Sequence, residues 1–197
     1  MLILRSIAML LALISVLPAA HARTQVQAPN EPVTYLGLTF PAEIGGARRI
    51  SVRDYESSSS GLGYSAGYQH GAATSTVYIY DDRLPSIPDD LKSAVVRDQL
   101  EKAKADIQRI PRRLIKEKNA FTINDASKRE RFNCQGYALA AEPGPEAFDT
   151  FVCLGVFNGK FLKVRTTIPQ TANTESEIRR FLGLWIDRLW NPPATAR

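Results

Sequence analysis

The chain has 197 residues, with 25 lysines and arginines against 20 acidic residues, two histidines and two cysteines. That length can bury a core without several covalent staples. So few cysteines exclude a disulfide-rich scaffold, and a formal net charge of +5 is only mildly basic.

Residues 1–22, MLILRSIAMLLALISVLPAAHA, read as a cleaved signal peptide. Arg5 supplies the positive start, Ile7 to Leu17 the apolar run, and Ala20-His21-Ala22 the small residues of a cleavage site. The run is shorter than the about 20 residues of a bilayer span; an uncleaved anchor is the alternative. No cysteine lies near the cut, which argues against a lipid anchor, and no later segment is apolar enough to cross a bilayer. The mature chain then starts at Arg23, in the periplasm or outside the cell. Residues 23–33 are polar, carry Pro29 and Pro32, and read as a flexible lead. Residues 34–191 make one domain and 192–197 a tail.

Leu36–Pro41 reads as a first strand, Gly45-Gly46 as a turn, and Arg49–Glu56 as a strand with Ile50 and Val52 on one face. Gly63–His70 and Ser75–Asp81 form a hairpin joined by Gly71–Thr74, its second strand β-branched and aromatic. A helix is expected from Asp89-Asp90, whose charges suit a helix start. Its stripe is Val96, Leu100, Ala103, Ile107 and Ile110. Pro111 ends or kinks it, and Leu114 and Ile115 extend it in the kinked case. Ala120–Asn124 is a short strand.

Arg131–Glu142 and Phe148–Asn158 are strands around Pro143-Gly144-Pro145. A turn at Pro143-Gly144 places Cys134 opposite Cys153; a longer turn changes the register. In an oxidising compartment such a pair reads as a disulfide, with two buried thiols as the alternative. Asn158-Gly159 is a tight-turn signal leading into Phe161–Ile168, with Leu162, Val164, Thr166 and Ile168 inward and Lys163 and Arg165 outward. Thr174 and Glu177 match a capping box. Ile178, Phe181, Leu182, Trp185, Ile186, Leu189 and Trp190 then form one apolar helix face, which Pro192-Pro193 stops.

This order of strands, helix, strands and helix predicts an α+β fold with a mainly antiparallel sheet flanked by two main helices. With the LGLTFP opening at Leu36–Pro41, the pattern resembles the PsbP-like fold, and also exported bacterial proteins of uncharacterised families. The resemblance covers most of residues 34–191 and implies an adaptor role more readily than catalysis.

Gly63-Tyr64-Ser65-Ala66-Gly67 matches the G-x-S-x-G nucleophile elbow, which needs a strand, a sharp turn and then a helix. Here a second strand follows. His70, the one histidine after the signal peptide, is an odd number of residues from Ser65 and so points to the other face of a regular strand. Asp81, Asp82, Asp89 and Asp90 lack the spacing of an EF-hand and read as loop and helix-start residues. Tyr64, Tyr68 and His70 alternate on one strand and Tyr78 and Tyr80 on the next. Depending on loop parity, the five rings either line one ligand patch or pack as ordinary sheet residues. Residues 101–131 hold ten Lys/Arg against five Asp/Glu. Lys102, Arg109, Arg113 and Lys116 form an anion-facing stripe if the helix runs through Pro111, and a solvated surface otherwise.

The sequence thus points to an exported, non-enzymatic accessory or binding protein of the bacterial envelope. Its expected partner is an envelope protein or an anionic envelope component. No nucleic acid, cofactor or metal is expected. A small-ligand binder at the tyrosine face and a serine hydrolase at Ser65 are the alternatives.

Overall fold

The computed structural model describes residues 31–111, 113–141, 147–170 and 173–191. The proposed signal peptide, most of the 23–33 lead, the Pro143-Gly144 turn and the 192–197 tail lie outside the described residues.

Two antiparallel meanders join edge to edge. The first holds β3 (Glu43–Ile44), β4 (Ala47–Asp54), β5 (Tyr64–His70) and β6 (Ala73–Tyr80). The second holds β7 (Arg113–Asn124), β8 (Glu130–Ala141), β9 (Ala147–Phe157) and β10 (Lys160–Pro169). Pairing of β6 with β10 makes one eight-stranded sheet of order β3-β4-β5-β6-β10-β9-β8-β7. A separate hairpin, β1 (Val33–Tyr35) with β2 (Leu38–Phe40), packs onto it. Helix α1 (Ala94–Gln108) follows the first meander and α2 (Thr174–Trp190) the second. The fold is α+β with an antiparallel sheet and two helices, as the element order predicts.

The helices cover opposite faces. Helix α2 buries Ile178, Phe181, Leu182, Trp185 and Ile186 against Tyr68, Val77, Leu162, Val164 and Phe132. Trp185 sits edge-on to Phe40 and Tyr68, at 6.3 and 5.8 Å between ring centroids. Helix α1 buries Val96, Ala103 and Ile107 against the other face, on Leu154, Val156, Phe161, Tyr137 and Val152. It therefore covers the β8–β9–β10 half and leaves the β4–β5–β6 half of that face open.

Several boundaries differ from the sequence reading. Leu36–Pro41 is not one strand: Leu36 and Gly37 take φ of 49° and 78° and form the tight turn between β1 and β2. Ile50 does not share a face with buried Val52. A bulge between Arg49 and Ser51 shifts the alternation and leaves Ile50 57% exposed. Helix α1 begins after Asp89-Asp90, because the Asp90 carboxylate accepts the Lys92 N–H at 2.9 Å and holds a turn there. Nor does the helix pass Pro111. Leu114 and Ile115 belong to β7, which extends the expected 120–124 strand back to Arg113 along β8. Thr174 is a helical residue rather than a cap, and its hydroxyl donates to the Asp149 carboxylate.

Candidate functional site

The β5–β6 turn is the two residues Gly71-Ala72, so His70 pairs with Ala73 and Tyr64 with Ile79. That parity sends the two tyrosine sets to opposite faces, and the five-ring patch does not form. On the α2 side, Tyr68 is fully buried, donates its hydroxyl to the Pro41 carbonyl at 3.0 Å, and burial drives its pKa up. Tyr64 stacks on Tyr35, with ring centroids 3.8 Å apart. His70 stacks on Phe181 and shares a hydrogen bond with Ser75, which continues to Thr166. Burial first, and Arg180 second, push its pKa down. It borders an open hollow of about 610 Å³ beside Gly45-Gly46 and α2.

Ser65 faces the α1 side, the opposite face from His70, and is 1% exposed. Strand β6 follows it where a nucleophile elbow needs a helix. The elbow is therefore not built. The aspartates of the loops are held by cations: Asp81 by Lys160 at 2.7 Å, Asp82 by Lys102 at 3.2 Å, and Asp89 by Arg129 at 2.9 Å.

The stripe of Lys102, Arg109, Arg113 and Lys116 is not one helix face either. Lys102 and Arg109 sit on or next to α1, and Arg109 pairs with Asp106 at 3.5 Å. Arg113 and Lys116 lie on β7 and pair with Ala141 and Ala138, positions of opposite parity. Arg113 lies over the Phe148 ring.

A different set of cations converges on the open half of the α1-side face. The register aligns Arg53, Ser65, Tyr78 and Lys163 in one row across β4, β5, β6 and β10. The next row is Ser51, Gly67, Thr76 and Arg165. The bulge also brings Ile50 to this side, over Gly67. The floor residues Ser65 and Gly67 are buried, Arg53 is exposed, and Lys163 and Arg165 are half-buried. The Lys163 ammonium lies 4.6 Å from the Tyr78 ring and 5.4 Å from the Tyr80 ring. Burial lowers its pKa and raises that of Tyr78. With Arg48 on the third row, the β4, β5, β6 and β10 positions of this face carry four cations and no carboxylate. The outward pointing of Lys163 and Arg165 is readable in the alternation of 161–168. Their meeting with Arg53 is not, since it depends on the long-range β6–β10 pairing.

Cys134 and Cys153 are a directly paired couple on β8 and β9, with sulfurs 2.10 Å apart, buried on the α2 side. Among the described residues no helix is long and apolar enough to cross a membrane, and no cluster of three or more metal-ligating side chains occurs.

These features define a disulfide-bonded α+β protein whose antiparallel sheet carries one helix on each face and leaves the β4–β5–β6 half of the α1 side open. No family model matches the sequence, and no curated protein sequence matches it. Among solved structures the chain is similar to the solution structure of cyanobacterial PsbP (CyanoP) from Synechocystis sp. PCC 6803. The identity is 13%, the match covers 84% of this chain and 95% of that one, and the TM-score is 0.45.

Proposed function

We propose that this chain is an exported accessory protein of the bacterial envelope that acts by binding rather than by catalysis. The observation that carries the reading is the open half of the α1-side face, where Arg53, Lys163 and Arg165 surround Tyr78 with no carboxylate among them. Such a surface favours association with a partner of opposite charge. The Cys134–Cys153 bridge favours an oxidising destination. The separation of Ser65 from His70 and the enclosure of Ser75 favour binding over acyl transfer.

Cell fractionation with N-terminal analysis tests the export. The expected species starts at Arg23, lies outside the cytoplasm and has its cysteines bridged. A cytoplasmic chain that retains Met1 and reduced thiols overturns it. Capture from native envelope tests the binding: a partner held by the natural chain should be lost from an Arg53→Gln/Arg165→Gln variant, and equal recovery by both overturns the role of the face.

A further inference from the structure

The hollow of about 610 Å³ on the α2 side lies among two hairpin turns, the end of β10 and the first half of α2. His70 borders it and is 8% exposed. Its ring is held in place: Nε2 is bonded to the Ser75 hydroxyl at 3.0 Å, and the ring stacks on Phe181 at 5.0 Å. Nδ1 has no hydrogen-bond partner among the described residues. A Cβ at Gly45 would lie 2.2 Å from Leu184, so the β3–β4 turn rests directly on α2. A Cβ at Gly46 or Gly71 would meet nothing within 4 Å, so both turns leave space at the mouth. Glu177, half-buried, and Arg180, exposed, stand three residues apart on α2 at the rim. Neither forms an ion pair among the described residues, with the other or elsewhere. Burial lowers the His70 pKa most, Arg180 lowers it further and Glu177 opposes them, so both charges act on the space beside this ring.

We infer that this hollow binds a free α-amino acid with an apolar side chain, Arg180 taking its carboxylate, Glu177 its ammonium group, and Ile168 and Pro169 lining its side chain. The pair of unspent charges selects the class. An anion on Arg180 alone would lie beside the Glu177 carboxylate, and a cation on Glu177 alone beside the Arg180 guanidinium; a molecule carrying both charges satisfies both. Side chains three apart on a helix have Cβ atoms about 5–6 Å apart, so the two can close on the adjacent charged groups of one α-carbon. The guanidinium fork suits a carboxylate. The unused His70 nitrogen can meet either charged group, as acceptor or donor according to its tautomer. An internal stretch of polypeptide has no such charge pair on its backbone, and a chain end has one of the two. The volume is within the range of small-molecule sites, about 300–1,000 Å³.

The hollow is on the opposite side of the sheet from Arg53 and Lys163, so this inference stands apart from the binding reading above and either can fail alone. The oxidised full chain is titrated by calorimetry with L-leucine, with 4-methylpentanoate, which lacks the ammonium group, and with 3-methylbutylamine, which lacks the carboxylate. Leucine should bind and shift the His70 ring resonances, and each single-charge analogue should bind at least about tenfold more weakly, the loss of one charge-assisted contact. In Glu177→Gln leucine should lose its advantage over 4-methylpentanoate, and in Arg180→Gln its advantage over 3-methylbutylamine. Arg53→Gln/Arg165→Gln should bind leucine as the natural chain does. No binding of leucine, a single-charge analogue that binds the natural chain as tightly, or discrimination that survives in either α2 variant overturns the inference. Circular dichroism and thermal melting confirm that each variant is folded.

Discussion

Cys134 and Cys153 face each other across the β8–β9 ladder, with Cα atoms 4.0 Å apart and a sequence separation of 19. The bridge ties adjacent strands already held by backbone pairing, so its effect lies mainly in the unfolded chain. A loop of this length removes about 3 kcal/mol of unfolded-state entropy. The Cys134→Ala/Cys153→Ala variant should lose that stability in urea unfolding, with the α+β circular dichroism signature retained. An unchanged unfolding midpoint would show that the bridge adds nothing.

Asp149 is fully buried on the α2 side and joins three elements. Its carboxylate accepts Lys118 Nζ at 2.6 Å from β7, the Thr174 hydroxyl at the start of α2, and the Gln170 side-chain amide at 3.4 Å. Asp149→Ala leaves the Lys118 and Thr174 donors without their acceptor and unties the first turn of α2. The expected cost is about 3 kcal/mol, since it breaks a buried charged network. Amide exchange should rise first around residues 174–178; uniform exchange across the chain would argue against a local anchor.

Asp125 organises the β7–β8 turn. Its carboxylate accepts the Ser127 hydroxyl at 2.6 Å, the Arg131 Nε at 2.8 Å, and the Ser127 and Arg129 amides. The Ser127 hydroxyl, followed by Arg131 and the Arg129 amide, holds its pKa down to about 2. Its folded pKa lies below its unfolded value, so the unfolded chain binds more protons as pH falls. The stabilisation is complete above about pH 5 and is lost progressively toward about pH 2. Asp125→Asn should therefore flatten the acid limb of the stability profile. A limb as steep as in the natural chain would place the acid sensitivity elsewhere.

Much of this fold is readable where one local pattern decides it. The stripe from Ile178 to Ile186 fixes the buried side of α2, and the alternation of Leu162, Val164, Thr166 and Ile168 fixes the inward side of β10. Cys134 opposite Cys153 follows from one hairpin with its turn in sequence. What escapes the sequence depends on parity and on distant pairing. One residue more or less in the Gly71-Ala72 turn would put Tyr68 and Tyr78 on the same face, and the bulge at Arg49–Ser51 turns Ile50 outward. The row from Arg53 to Lys163 needs the β4–β5, β5–β6 and β6–β10 registers together, so no window of sequence contains it.

Two glycines without left-handed backbone should respond to alanine with opposite signs. A Cβ at Gly155 would lie 2.4 Å from the Arg131 carbonyl oxygen and 3.1 Å from the Phe132 ring, just past the Asn133–Leu154 end of the β8–β9 ladder. The clash is with backbone, so β8 must move, and Gly155→Ala should cost about 1–3 kcal/mol as an overpacked site. A Cβ at Gly183 would meet nothing within 4 Å, and the residue sits in the interior of α2. Alanine there removes unfolded-state freedom and restores helix propensity, so Gly183→Ala should stabilise by about 0.5–1 kcal/mol. Urea unfolding of the two variants beside the natural chain checks both. A destabilised Gly183→Ala would mean that another surface rests against that side of α2, and a neutral Gly155→Ala would mean that β8 and β9 are farther apart than their paired register places them.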